Sequence, residues 1–220
     1  MDKECWSLQV TNVIWNADGG SSQVKTRRRG LIRELFNMKK KEIVELATEW
    51  VQTEGLHHIS FRSLAEAVGI KSSSVHYHYK TKGDLVEELI RQYTTNLQAQ
   101  FQELDQSKLE CKDRLLRFAE IFESALSNDK VCLCGVLAVS ITELTEGSAS
   151  ALESFFGMSQ EWLEKTLSAG PELTIKLKPK QVASLLLSGL EGSLLLDRAQ
   201  KGKSNLESQI AFIESLFALS

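Results

Sequence analysis

"SFRSLAEAVGIKSSSVHYHYKTKGDL", residues Ser60 to Leu85, is the stretch on which the fold turns. Ser60 is a good helix N-cap, Phe61, Leu64, Ala65 and Val68 share one face of the helix that follows, and Gly69 is a natural stop. The two-residue link Ile70-Lys71 leads into a third short helix, with Val75 and Tyr79 four apart on one face. Thr81 then reads as the N-cap of a longer helix with Asp84 in its first turn, where the helix dipole favours an acid. Upstream, Ile43, Val44, Leu46, Ala47, Trp50 and Val51 follow helical spacing up to Gly55. Three helices with a tight turn between the last two make a helix-turn-helix, whose final helix can lie in a DNA major groove.

The composition of that final helix suits the task. Ser72, Ser73 and Ser74 are short donor-acceptors able to reach base edges from the start of an inserted helix. His76 and Tyr77 can meet sugar and phosphate, and Lys71, Lys80 and Lys82 can neutralise phosphate charge. The alternative is an exposed amphipathic helix with a solvated serine face.

The rest of the chain bounds the reading. It has 220 residues, 42% hydrophobic and 25% charged, with 2 prolines and a formal net charge of -3. That is an ordinary globular composition, neither disordered nor fibrous. The charge is unevenly spread: residues 1–37 carry +2, residues 38–83 carry +2 and residues 84–220 carry -7. An anion-facing front on an acidic body is expected, although such splits also arise on solvated faces. The longest apolar run, "SLLLSGLEGSLLL" from Ser184, is broken by Glu191, so no membrane span is expected. The start lacks the pattern of a secretory signal, and four scattered cysteines (Cys5, Cys111, Cys132, Cys134) do not form a disulfide framework. A cytoplasmic protein is expected.

Beyond residue 105 the segments "CKDRLLRFAEIFESAL", "VCLCGVLAVSITEL", "ASALESFFGMSQEWLEKTL", "KPKQVASLLLSGLEGSLLLDRAQ" and "NLESQIAFIESLFAL" are helix candidates. Breaks are expected at "SND", "TEGS", "SAGPELTIKLKP" and "KGKSN". No stretch shows sustained period-2 alternation, so the predicted fold is all-α. Three parts are expected: residues 1–37, a basic tail carrying "KTRRRG", disordered or only locally helical; residues 38–84, the helix-turn-helix; and residues 85–220, a helical ligand-binding and dimerisation domain. The tail reads either as a DNA-contacting arm or as an extension upstream of a start at Met38.

From Lys39 to about Leu89 the chain resembles the N-terminal domain of the tetracycline-repressor (TetR) family of bacterial regulators. The resemblance rests on Gly55, "SFRSLAEAVGI", "VHYHY" and "KTKGDL", with His76 where the family usually has Tyr, Tyr79 where it has Phe, and Lys71 where a Ser often caps the third helix. That last departure leaves Ser72 as the candidate cap. The resemblance implies that Ser60 and Lys82 contact the DNA backbone, that Arg62 approaches a base or phosphate, and that Ser72, Ser73, Ser74 and Tyr77 face bases. For Arg62 the alternative is a surface salt bridge to Glu66. The resemblance further implies a homodimer on palindromic double-stranded operator DNA, probing it with two reading helices about 34 Å apart, and a repressor released by a small-molecule inducer.

For the inducer, the sequence suggests a pocket drawn from Tyr93, Phe118, Phe122, Cys134, Leu137, Phe155, Phe156 and Trp162, an apolar and aromatic set. No lone carboxylate or arginine stands out within apolar surroundings as the anchor for a charged ligand. The small residues Ser184, Ser188, Gly189, Gly192 and Ser193 suit close helix approach across a two-fold axis. Cys132 and Cys134, near a predicted helix start, raise the alternative of a thiol sensor of electrophiles, because a helix N-terminus lowers a thiol pKa. One intervening residue puts them on different sides of a helix, so neither a metal site nor a cofactor is expected. No nucleophile and base stand together outside the helix-turn-helix, so an enzyme is not expected. A helical adaptor without DNA binding is the remaining alternative.

Overall fold

The computed structural model describes residues 22–217. Expectations for residues 1–21, Cys5 included, lie outside the described residues. Among the described residues there are nine α-helices and no strand. They fall into two units, one ending at Lys39 and one starting at Lys40.

In the first unit the described backbone is helical from Ser22, as the opening part of α1 (Ser22–Glu54). Of residues 1–37, expected to be disordered or only locally helical, those from Ser22 on are helical. The reason is local: residues 25–36 are dominated by Lys, Arg, Leu and Glu, all strong helix formers, and contain no proline.

The second unit opens with the remainder of α1, which buries Ile43, Ala47 and Val51. Its end is marked by Gly55 at φ 91°, followed by a 3-10 turn over Leu56–His58. Helix α2 (Phe61–Val68) is capped by the Ser60 hydroxyl, which accepts the Ser63 N–H at 3.1 Å. Gly69 closes it in the left-handed region at φ 72°, where a β-carbon would be strained, and Ile70 N–H returns to the Ala65 carbonyl at 2.9 Å. Helix α3 (Ser72–His78) follows at once. Val75 and Tyr79 are buried against Leu64, Ala65 and the rest of the core, as their spacing predicts. Helix α4 (Lys82–Gln106) opens on a complete capping box: Thr81 Oγ1 accepts from Asp84 N–H at 3.1 Å, and Asp84 Oδ2 accepts from Thr81 N–H at 2.9 Å.

The remaining helices are α5 (Cys111–Ser127), α6 (Leu133–Val139), α7 (Glu146–Ser168), α8 (Pro179–Gln200) and α9 (Ser204–Ser215). Helix α7 packs on α4 and α8, and α5 packs on α8 and α9. One break differs from expectation. "TEGS" is a helix start, because Thr145 accepts the Ser148 N–H at 3.2 Å and caps α7. The chain instead breaks across Ser140–Leu144, leaving α6 short.

Helix α8 is apolar nearly all round but is not buried all round. Val182, Leu186, Leu190 and Leu194 face the core, whereas Leu185 (51% exposed) and Leu196 (51% exposed) look outward with Leu195. At its C-terminal end the fully buried Asp197 caps α9, accepting N–H groups from Asn205 at 3.0 Å and Leu206 at 2.8 Å.

Candidate DNA-reading face and ligand cavity

The face of α3 opposite Val75 and Tyr79 is open. Ser73, His76 and Tyr77 are exposed, Tyr77 by 77%. A phenol in that position has its ring in water while the helix beneath it is held by two buried side chains. Lys71, not Ser72, occupies the N-cap position of α3, with backbone φ -77° and ψ 144° and no side-chain cap bond. Ser72 is therefore the first helical residue, and its hydroxyl is not taken up by capping. His76 is steadied by its neighbour across the turn: its ring meets Phe61 edge-on, with centroids 4.8 Å apart.

The cations divide into two groups. Lys71, Lys80 and Arg62 are exposed, and among the described residues no ion pair joins Arg62 to Glu66. Lys82 differs: its ammonium donates to the Leu56 carbonyl at 2.8 Å, and burial pulls its pKa below the ordinary lysine range. It is a strut between α4 and the turn after α1. Ser60 is exposed; its hydroxyl accepts from the Ser63 N–H at 3.1 Å and lies 2.5 Å from the Ser63 hydroxyl.

A cavity of about 190 Å³ lies within the C-terminal helices. Tyr93, Leu97, Phe118, Phe122, Phe155 and Leu194 supply its apolar walls, and Asn96 and Gln100 of α4 line it as well. Of the eight side chains expected there, Tyr93, Phe118, Phe122 and Phe155 line it. Cys134 and Leu137 are buried core, Trp162 stacks on Phe101 at 4.3 Å, and Phe156 faces a separate shallow groove beside α6. Glu191, Cys132 and Ser159 also line the cavity.

Glu191 overturns the expectation that no carboxylate stands alone among apolar neighbours. Its Oε1 is sealed from solvent without a hydrogen-bond partner. The other oxygen, Oε2, lies only 2.6 Å from where a β-carbon on Gly135 would sit, so that glycine makes the room the carboxyl occupies. Burial pushes the Glu191 carboxyl up to about 7, against the opposing effect of a hydrogen bond from Cys132. The signal was visible in the sequence: one acid interrupting "SLLLSGLEGSLLL".

The same neighbourhood corrects the thiol expectation. Burial first, and then the Glu191 carboxyl, push both the Cys132 and Cys134 thiols above their ordinary range. Desolvation outweighs the pull of a helix start, so neither thiol gains thiolate character.

Hydrogen bonds that the sequence did not reveal tie the C-terminal helices to the end of α1 and the start of α4. Gln52 and Val131 exchange two bonds: Gln52 Nε2 donates to the Val131 carbonyl at 3.0 Å, and Val131 N–H donates to the Gln52 carbonyl at 3.2 Å. Arg198, seven residues beyond Glu191 on α8, donates to the Gln52 carbonyl at 2.9 Å and to the Thr53 carbonyl. Those carbonyls belong to the last turn of α1, where a helix leaves acceptors unpaired and a cation is favoured. On the other side, Ser148 at the start of α7 donates to the Gly83 carbonyl in the first turn of α4 at 3.2 Å.

Comparison with known proteins agrees with this geometry. The family description "Bacterial regulatory proteins, tetR family" matches residues 43–89, which span the buried end of α1 through the start of α4. The HTH-type transcriptional repressor KstR2 of Mycobacterium tuberculosis is 30% identical over 79 residues, covering 36% of this chain and 40% of that protein. The chain thus matches less than half the length of this curated relative. A TetR transcriptional regulator from Legionella pneumophila is similar across nearly its whole length, with TM-score 0.76, 27% identity, and coverage of 81% of this chain and 97% of that one. A TetR-family regulator from Agrobacterium tumefaciens shares the fold at TM-score 0.79, with 23% identity over 83% of this chain and 100% of that one. A helix-turn-helix thus stands at the positions that the family description matches, and the helical body behind it has the fold of these TetR-family regulators.

Proposed function

We propose that this protein is a cytoplasmic, ligand-responsive transcriptional repressor that binds palindromic operator DNA as a homodimer. The observation that carries the reading is the outward face of α3, with Ser73 and Tyr77 exposed on a helix locked by Val75 and Tyr79. Residues 38–84 serve as the DNA-reading domain, and residues 85–220 bind the inducer and the second protomer. Ser72, Ser73, Ser74 and Tyr77 read bases, Arg62 approaches a base or phosphate, and Ser60, Lys71, His76, Lys80 and Lys82 meet the backbone. The exposed leucines of α8, flanked by exposed Ser184 and Ser188, support dimerisation through that helix and α9.

The cavity couples to the reading face by two routes. Helix α4 starts in the DNA-reading unit and carries Tyr93 and Leu97 into the cavity wall. Helix α8 carries Glu191 into the cavity and Arg198 onto the end of α1. A ligand that shifts either helix tilts α3, and by reciprocity it binds the DNA complex less tightly, typically by about 1 to 3 kcal/mol.

The test is operator binding measured by fluorescence anisotropy over a range of salt. Tyr77→Ala should abolish sequence preference while the protein remains folded. Lys82→Ala should weaken all sequences alike and lower the salt slope by about one phosphate's worth. Unchanged affinity and sequence preference in Tyr77→Ala would remove α3 as the reader.

A further inference from the structure

The cavity combines two features that rarely occur together. Its walls are rings and aliphatic chains, yet it holds an acid with a buried oxygen that bonds to nothing in the protein. None of the side chains lining it is Lys, Arg or His. A carboxyl oxygen buried without a partner is costly, and the residues lining the cavity supply no cation to offset it. Such a group repels anions, is only half satisfied by a neutral donor, and is fully satisfied by a positive charge. Rings around the same space also favour a cation, through their negative faces. Size narrows the class further. A cavity of about 190 Å³ compares with an engineered apolar cavity of about 150 Å³ that takes up benzene, so one ring with a short arm fits.

We propose that the cavity binds a small single-ring organic amine, with the ammonium against Glu191 and the ring among Phe118, Phe122 and Phe155. This rests on the reading of the cavity as the inducer site and gives that inducer a chemical class. Gly135 is part of the device, because its missing side chain leaves the space that Oε2 occupies. The groups facing Glu191 are Tyr93 from α4 and Cys132 and Cys134 from the start of α6, and all three are pushed further from ionisation. The cavity-lining residues of α5 and α7 carry no titratable group. No neighbour therefore competes for the charge, and the acid, pushed up to about 7 by burial, ionises fully when an ammonium arrives.

Full-length protein is titrated calorimetrically with benzylamine, benzyl alcohol and benzoate, three molecules of one shape differing in charge. Wild type should bind benzylamine at least about tenfold tighter than benzyl alcohol and should not bind benzoate. As the carboxyl ionises, benzylamine affinity should rise about tenfold between pH 6 and 8 while benzyl alcohol stays flat. Glu191→Gln should erase both the amine preference and its pH dependence. The comparison within wild type needs no variant, so it stands even if Glu191→Gln fails to fold. Equal binding of amine and alcohol by wild type, or an amine preference that persists in Glu191→Gln, overturns the amine class. If benzyl alcohol binds and releases operator DNA with no advantage for the amine, the inducer cavity survives and only the class falls. If none of the three binds up to its solubility limit, both fall.

Discussion

Removing the Arg198 guanidinium should loosen the joint between α8 and the end of α1. In the folded protein it donates to the carbonyls of Gln52 at 2.9 Å and of Thr53, with Asp129 a further 3.8 Å away. A hydrogen bond from a charged donor contributes about 1.5 to 3 kcal/mol when buried. This side chain is 29% exposed, so water can reach the vacated carbonyls, and the pair with the largely exposed Asp129 adds at most about 1 kcal/mol. Discounting accordingly, Arg198→Ala should destabilise the protein by about 2 kcal/mol, or about 4 to 8 °C in Tm for a chain of this size. Arg198→Lys should recover only part of this, since one ammonium cannot span two carbonyls as a planar fork does. The functional effect should be separable from the stability loss. At a temperature where the variant is fully folded, the ratio of operator affinities without and with inducer should shrink toward one, because α8 no longer holds the end of α1. Urea unfolding gives the first quantity and anisotropy titration the second. A variant of unchanged stability would mean that the two bonds contribute nothing net. A destabilised variant with an undiminished inducer response would show that the signal travels through α4 and Ser148 instead.

Two further outcomes follow from burial and charge. Burial opposes the charge on Asp197, but the N–H groups of Leu206 and Asn205 and the Asn205 amide outweigh it and hold the carboxyl below its ordinary 3.8. Its contribution is therefore complete above that value and is lost as pH falls through the lower folded-state pKa, so wild type should lose more stability on acidification than Asp197→Asn, as read by urea midpoints at several pH values. On the outer face of α8, Leu185→Glu together with Leu196→Glu should convert a dimer to monomer in light scattering and weaken operator binding; a variant that stays dimeric would place the two-fold interface elsewhere.

The helix-turn-helix was legible because its signals are local. Ser60, Gly69, Thr81 and Asp84 act on backbone groups no more than four residues away, and Val75 and Tyr79 declare a buried face by spacing alone. The same logic misread "TEGS", where the residues that looked like a break form the cap that starts α7. It also misread Ser72, since which residue caps α3 depends on where the chain leaves the turn after Gly69.

The cavity among the C-terminal helices was legible only in part, for the opposite reason. Aromatic residues in the C-terminal helices could be nominated, but nothing in the sequence distinguishes Phe122, which lines the cavity, from Trp162, which stacks on Phe101 outside it. Glu191 stood out as an interruption in an apolar run, yet its meaning came from Cys132 and Gly135, more than fifty residues away in the chain. The thiols were read from their place at a helix start, which favours the thiolate, whereas their burial, a property of the packed whole, decides in the other direction.

The sequence by itself determined the all-α class and the helix-turn-helix with three serines at the start of its last helix, because caps, turns and helical periodicity are settled by neighbours a few residues apart. Tertiary structure alone decided that Lys82 is tied to Leu56, that Glu191 keeps an unsatisfied oxygen beside a cavity, and that Arg198 grips the end of α1 from 146 residues away. Each of these is a matter of which groups lose water together and which partner each then finds, and only the packed chain brings those groups within reach.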